Sequence, residues 1–248
     1  MVSDIFRDFI DNNEAGLGII ELPTSIGKTY STFECIAQYC EEWAEYKRTH
    51  TRPGKFRQII VVTTLKKNLV GLEDAYKRHN RSEYYQDEVM FLDNLREILK
   101  SNYSRLCGND KTVPVYIMKL PQFQDLRNKV ELIIKGEQYQ LPPELMNKLS
   151  LEANRVYLDL RNQIVSAFKK SRRIERKMTL TQVGDHEGYA WVFKLFPDLL
   201  IPRKKVLLMS FKKLLDGRMY EKPSCAFISD RFLKKKIIFI DEDRKSVV

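Results

Sequence analysis

The sequence predicts an α/β fold, with a mainly parallel sheet, flanking helices and a mostly helical insertion. Two observations predict it. First, short apolar runs recur at 18–22, 59–64, 205–209 and 237–240. A run that is apolar on both faces suits a strand buried inside a parallel sheet. Second, the stretches after these runs carry apolar residues at three- and four-residue spacing, the period of a helix face.

The first strand, Gly18 to Leu22, runs into Pro23-Thr-Ser-Ile-Gly-Lys-Thr29. A helix from Lys28 to about Lys47 follows, with Phe33, Ile36, Ala37, Cys40 and Trp43 on one face. The order strand, loop, helix suits phosphate chemistry. Successive backbone N–H groups of Thr24, Ser25, Ile26, Gly27, Lys28, Thr29 and Tyr30 form a cradle for phosphate oxygens. The new helix adds the positive end of its dipole. Gly27 lets the backbone approach without a Cβ. Lys28 suits the β- and γ-phosphates of ATP, and the Thr29 hydroxyl suits Mg²⁺. An ordinary strand-to-helix turn, with Thr29 as a cap, shares part of this pattern. The strict G-x-x-x-x-G-K-[ST] pattern places glycine at position 22, where this chain has Leu22.

Phe56-Arg-Gln-Ile-Ile-Val-Val-Thr-Thr64 supplies the second strand. Behind it, Thr64, Lys66, Lys67 and Asn68 are donor types that hold a nucleic-acid backbone. Glu88 to Ser104 has helical spacing, and Val113–Met118 reads as a further strand. Pro142-Pro143 opens a long helix to about Arg173. Its stripe is Leu145, Leu149, Ala153, Val156, Leu160, Ile164, Ala167 and Phe168, suited to packing on a neighbouring helix. Lys169, Lys170, Arg172, Arg173, Arg176 and Lys177 gather at its end, where cations also suit the helix dipole. Trp191–Pro197 reads as core packing, with Pro197 ending a helix. Lys205–Met209 is a strand and Ser210–Leu215 a short helix. The last strand, Ile237–Ile240, delivers Asp241 and Glu242 to its C-terminal end, where ligands of α/β sheets sit. An aspartate there coordinates Mg²⁺, and the next glutamate orients the attacking water.

Pro23–Thr29 resembles motif I of superfamily-two helicases of the DEAD/DEAH type, in which Pro-Thr commonly replaces the first glycine. Ser25 stands where that family often has glycine. The 59–68 stretch resembles motif Ia, Asp241-Glu242 resembles motif II, and 205–215 resembles the motif Ib or Ic region. The resemblance implies a RecA-like P-loop NTPase domain over residues 1–242, with the insertion at about 85–200. It implies ATP and Mg²⁺ as cofactors, DNA or RNA as partner, and Lys28, Asp241 and Glu242 as the catalytic set. Iron–sulfur members place four cysteines between motifs Ia and II. Here only Cys107 lies centrally in that interval, so no cluster is expected. The family usually continues motif II with an acidic or Ala-His pair, and this chain continues with Asp243-Arg244.

Composition bounds the rest. The chain has 248 residues, 43 Lys plus Arg against 33 Asp plus Glu, and a formal charge of +10. That balance suits a polyanionic partner. No apolar run approaches the roughly eighteen residues of a membrane span, and the N-terminus lacks a secretory signal pattern. Cys35, Cys40, Cys107 and Cys225 are scattered, as in a reduced cytoplasmic protein. His50, His79 and His186 are too far apart in sequence to suggest a metal motif. Two other classes share parts of the pattern. One is another P-loop NTPase such as a kinase, which would usually keep glycine at position 22. The other is a basic, non-enzymatic nucleic-acid-binding protein with a fortuitous Gly-Lys-Thr.

Residues 243–248, Asp-Arg-Lys-Ser-Val-Val, can be encoded by GAT CGG AAG AGC GTC GTG. That string, followed by the stop TAG, matches a common short-read sequencing adapter. The expectation is a non-native tail, with the second RecA-like domain absent and little or no hydrolysis by this domain alone. Sequencing the source locus checks it. An adapter origin predicts different codons after Glu242, and native codons for Asp243–Val248 contradict it.

Overall fold

The computed structural model describes residues 2–11, 28–49, 56–63, 88–108, 112–171, 190–216 and 236–241. The strand expected at 18–22 lies outside them. The chain divides into two compact units. One joins Met1–Leu92 to Ile201–Val248, and the other is Asp93–Leu200.

The first unit is α/β. Its elements are α1 (Val2–Asp11), α2 (Lys28–Thr49), β1 (Gln58–Thr63), β2 (Val89–Phe91), β3 (Val206–Ser210), a short helix after β3 (Phe211–Asp216) and β4 (Lys236–Asp241). The four strands form one all-parallel sheet in the order β2-β3-β1-β4. Parallel neighbours need a crossover between them, so the chain returns to the same rim after every strand. β1 occupies the interior, and Ile59 to Val62 are buried on both faces. That explains its unbroken β-branched run.

One face of the sheet carries Ile59 and Val61 of β1, Val206 and Leu208 of β3, Val89 of β2 and Ile237 of β4. Phe33, Ile36, Ala37 and Cys40 of α2 pack into the same core. The far half of α2 is fastened where the strands begin. The Tyr39 hydroxyl donates to the Arg57 carbonyl at 2.6 Å. The Trp43 and Tyr46 rings lie 5.4 and 5.1 Å from Phe56. Lys205 Nζ sits 3.8 Å above the Trp43 ring and donates to the Phe56 carbonyl. Burial lowers the Lys205 pKa, and Glu88 partly offsets this.

Gln58 ties three strand starts together with one amide. Its Nε2 donates to the carbonyls of Ile201 and Lys204, and its Oε1 accepts from Lys236 Nζ at 2.6 Å. Arg57 donates to the carbonyls of Phe9 and Ile10, the last turn of α1, where a cation suits the helix end.

The second unit is helical. It contains α3 (Leu95–Ser101), α4 (Tyr103–Leu106), α5 (Val115–Met118), α6 (Pro121–Gln138), α7 (Pro143–Ser171), α8 (Ala190–Leu195) and a 3-10 turn (Pro197–Leu200). The short helix Phe211–Asp216 is therefore α9. α6 and α7 form an antiparallel hairpin. The two helices pack on each other, with Phe123, Leu126, Val130 and Ile133 buried on α6 and Met146, Ala153, Tyr157, Leu160 and Ile164 buried on α7. The Tyr157 ring also packs on Phe196, with centroids 5.1 Å apart.

Three local expectations are corrected. Residues 88–104 are not one helix. Val89–Phe91 pairs with β3, and the Leu92 N–H donates to the Leu208 carbonyl at 2.8 Å. The helix starts only after Asn94, whose Oδ1 accepts from the Glu97 N–H. Cross-strand pairing outweighs helical spacing over so short a run. Val113–Met118 is not a strand. Pro114 precedes a single helical turn over Val115–Met118, and proline cannot donate to a strand ladder. The stripe of α7 is rotated: Met146 and Tyr157 are buried, while Leu145 and Ala167 are exposed.

Two features of this unit generate predictions. The α6–α7 turn has the Schellman pattern. The Leu141 N–H donates to the Gly136 carbonyl, and the Gln140 N–H donates to the Glu137 carbonyl. Gln140 takes φ +53°, the left-handed region. A glycine there avoids the Cβ clash, so Gln140→Gly should stabilise by up to about 1 kcal/mol in urea denaturation. A net loss would contradict this account of the turn.

The second feature is a buried ion pair. Arg161 Nε lies 2.7 Å from Asp198 Oδ2, and the two side chains are 3% and 2% exposed. The Tyr157 hydroxyl donates to Asp198 Oδ1 at 2.9 Å. Burial pushes the Asp198 carboxyl upward, while Arg161 and Tyr157 hold it down. Arg161→Met strands a buried carboxylate and should cost about 3–5 kcal/mol. The double change Arg161→Met with Asp198→Leu should cost clearly less, because no charge is left alone. Equal costs would contradict the pairing.

Candidate functional site

The three longer strands end on one line. Thr63 of β1 is in register with Ser210 of β3 on one side and Asp241 of β4 on the other. The alternation behind that line repeats from strand to strand. Ile59 and Val61 lead to Thr63, Val206 and Leu208 lead to Ser210, and Ile237 and Phe239 lead to Asp241. Apolar positions under α2 thus give way to one row of polar residues at the C-terminal rim. Thr63 has no exposure at all. Ser210 is partly exposed, and its Oγ accepts from the Lys213 N–H at 3.1 Å, which opens α9.

α2 begins at Lys28. Its Tyr39, Trp43 and Tyr46 lie at the start of β1, the opposite rim. At about 1.5 Å per residue, Lys28 is roughly 22 Å back along the helix from Trp43. The six-residue β1 spans roughly 20 Å. With Phe33 and Ile36 packed on the sheet between, the helix runs against the strand direction. Its N-terminus therefore comes to the level of the Ser210–Thr63–Asp241 row.

This geometry follows from local sequence. The α2 face is long enough to cover the sheet, and its last aromatic residues dock on Phe56. That docking fixes where the first turn falls. A helix N-terminus presents unpaired N–H groups and the positive end of the dipole, so this rim suits an anion.

The expected site residues divide into two groups. Lys28, Thr29 and Tyr30 form the opening turn of α2, and Asp241 closes β4. Thr24, Ser25, Ile26, Gly27, Thr64, Lys66, Lys67, Asn68 and Glu242 lie outside the described residues. So do the three histidines and Arg172, Arg173, Arg176 and Lys177. Thr63 and Ser210 were not singled out as site residues by sequence reasoning. The signal existed: each apolar run ends in a polar residue at the same offset, in Val-Val-Thr, Leu-Met-Ser and Phe-Ile-Asp.

Among the described residues, no group of three His, Cys, Asp or Glu could hold a metal ion. Cys35, Cys40 and Cys107 form no disulfide. Burial raises the Cys35 and Cys40 pKa values, which keeps them as thiols. No described helix is long and apolar enough to cross a membrane. No protein-family model matches this sequence. A comparison with curated proteins gives no match.

Proposed function

We propose that the chain is an ATP-binding, RecA-like P-loop domain of a nucleic-acid-dependent ATPase, of the helicase or translocase type. One observation carries the reading. The helix α2 begins at Lys28 of the Gly-Lys-Thr sequence, and Asp241 ends the strand beside β1 in an all-parallel sheet. Helix rise against strand length supports setting the two at about one level. Parallel α/β sheets bind ligands at this rim.

The residues fit MgATP by their chemistry. The first turn of α2 offers N–H groups and a dipole to phosphate. Lys28 brings a cation, Thr29 a hydroxyl, and Asp241 a carboxylate from the neighbouring rim. Bound MgATP supplies the transferable γ-phosphoryl group and the metal charge. In this reading Lys28 holds the β- and γ-phosphates, and Thr29 and Asp241 hold Mg²⁺. Glu242 orients the attacking water. Thr64, Lys66, Lys67 and Asn68 grip the backbone of DNA or RNA, in keeping with the net charge of +10.

Calorimetry with MgATP tests the proposal. The wild-type chain should bind, and Lys28→Ala should weaken binding at least about tenfold, the equivalent of one lost charge-assisted contact of about 1.4 kcal/mol. Undiminished binding by Lys28→Ala would contradict the phosphate loop. Oligonucleotide binding with no MgATP binding by either chain would favour a basic nucleic-acid-binding protein instead.

A further inference from the structure

We infer that Lys205 is a modification site whose amine takes an acyl group from an acyl phosphate, an inference independent of the nucleotide reading. The assignment starts from its place at the strand bases, the rim opposite the Ser210–Thr63–Asp241 row. Lys205 immediately precedes β3, within the first unit. Its Nζ lies 3.8 Å above the Trp43 ring and donates to the Phe56 carbonyl at 3.2 Å. The residue is partly exposed, so it is packed against the fold without being sealed inside it.

The surroundings favour the free amine. A lysine that loses hydration is harder to protonate, and nearby cations add to the effect. Lys47 of α2 and Lys236, the first residue of β4, are the two cations that face Lys205. The strands of Lys205 and Lys236 are the two neighbours of β1. Glu88, immediately before β2, acts the other way and is itself bound by Lys47 at 2.9 Å. Cys40 adds a smaller effect in the same direction as Glu88. The Trp43 face also favours the ammonium. Burial is the largest influence, and the Lys205 pKa lies below the ordinary lysine value.

An acyl phosphate suits this position by size and by charge. Its acetyl form is small enough for a partly covered amine, and its phosphate is an anion beside Lys47 and Lys236. The Lys205 ammonium first gives a proton to water. The neutral Nζ then adds to the acyl carbon, forming the C–N bond, and the bond from that carbon to the phosphate oxygen breaks. Inorganic phosphate leaves with the displaced N–H proton. The product is a neutral amide with one N–H, so the cation above Trp43 is lost. Lys205 fastens the C-terminal half of α2 to the strand bases, and acylation therefore loosens that anchor.

The test incubates the full native chain with acetyl phosphate at about pH 8 and follows each lysine by peptide mass spectrometry. Lys205 should acetylate at least about threefold faster than Lys119 and Lys148, two exposed lysines of the helical unit. In denaturing urea, where burial and neighbours are lost, the excess should vanish. Lys236→Met removes one flanking cation and should slow Lys205 by about twofold, with Lys119 and Lys148 unchanged. A native Lys205 rate at or below that of the exposed lysines would overturn the inference. So would an excess that persists in urea, or an unchanged Lys205 rate in a folded Lys236→Met chain. The comparison of native with denatured wild type decides by itself if Lys236→Met does not fold.

Discussion

The register of β1 against its two neighbours is the constraint on which the rest depends. Parallel pairing aligns Ile59 with Val206 and Ile237, and the alignment continues to Thr63, Ser210 and Asp241. A slip of one residue would turn every side chain of a strand to the opposite face. The apolar row under α2 would then break, and so would the polar row at the rim. Core and candidate site are thus two ends of one alternation. Hydrophobic burial sets the register, and the register sets which polar residues meet.

The opposite rim holds this arrangement in place. Gln58 spans the starts of β1, β3 and β4 through three hydrogen bonds. Lys205 joins the strand bases to α2 by lying over Trp43, which in turn packs on Phe56. Lys47 pairs with the buried Glu88 at 2.9 Å, and the Glu88 carbonyl accepts from the Lys205 N–H. These contacts anchor the C-terminal half of α2. Because a helix is stiff, anchoring one end fixes the height of the other. The first turn at Lys28 is positioned by groups some 20 Å away.

Much of the first unit was legible in sequence because its strands are buried on both faces. The runs at 59–64, 205–209 and 237–240 correspond to strands at 58–63, 206–210 and 236–241. The start of α2 and the start of α7 were legible from a Lys-Thr opening and a Pro-Pro start. β2 was not, since three residues carry no period of their own and join the sheet only through β3. The buried Arg161–Asp198 pair was also invisible, because charges 37 residues apart meet only through tertiary packing. Of the candidate site, the places of Lys28 at a helix start and Asp241 at a strand end were legible in sequence. The shared row with Thr63 and Ser210 required the register.

The central claim is that nucleotide and metal bind at the Ser210–Thr63–Asp241 rim. Replacing Mg²⁺ by Mn²⁺ with ATP and recording backbone amide resonances tests it most directly, because the paramagnetic ion broadens only nearby signals. The account predicts the strongest broadening at Thr63, Ser210 and Asp241, falling off steeply toward Gln58, Lys205 and Lys236 at the opposite rim, roughly 20 Å away. Broadening centred on the Gln58 rim, or spread evenly over the sheet, would contradict it.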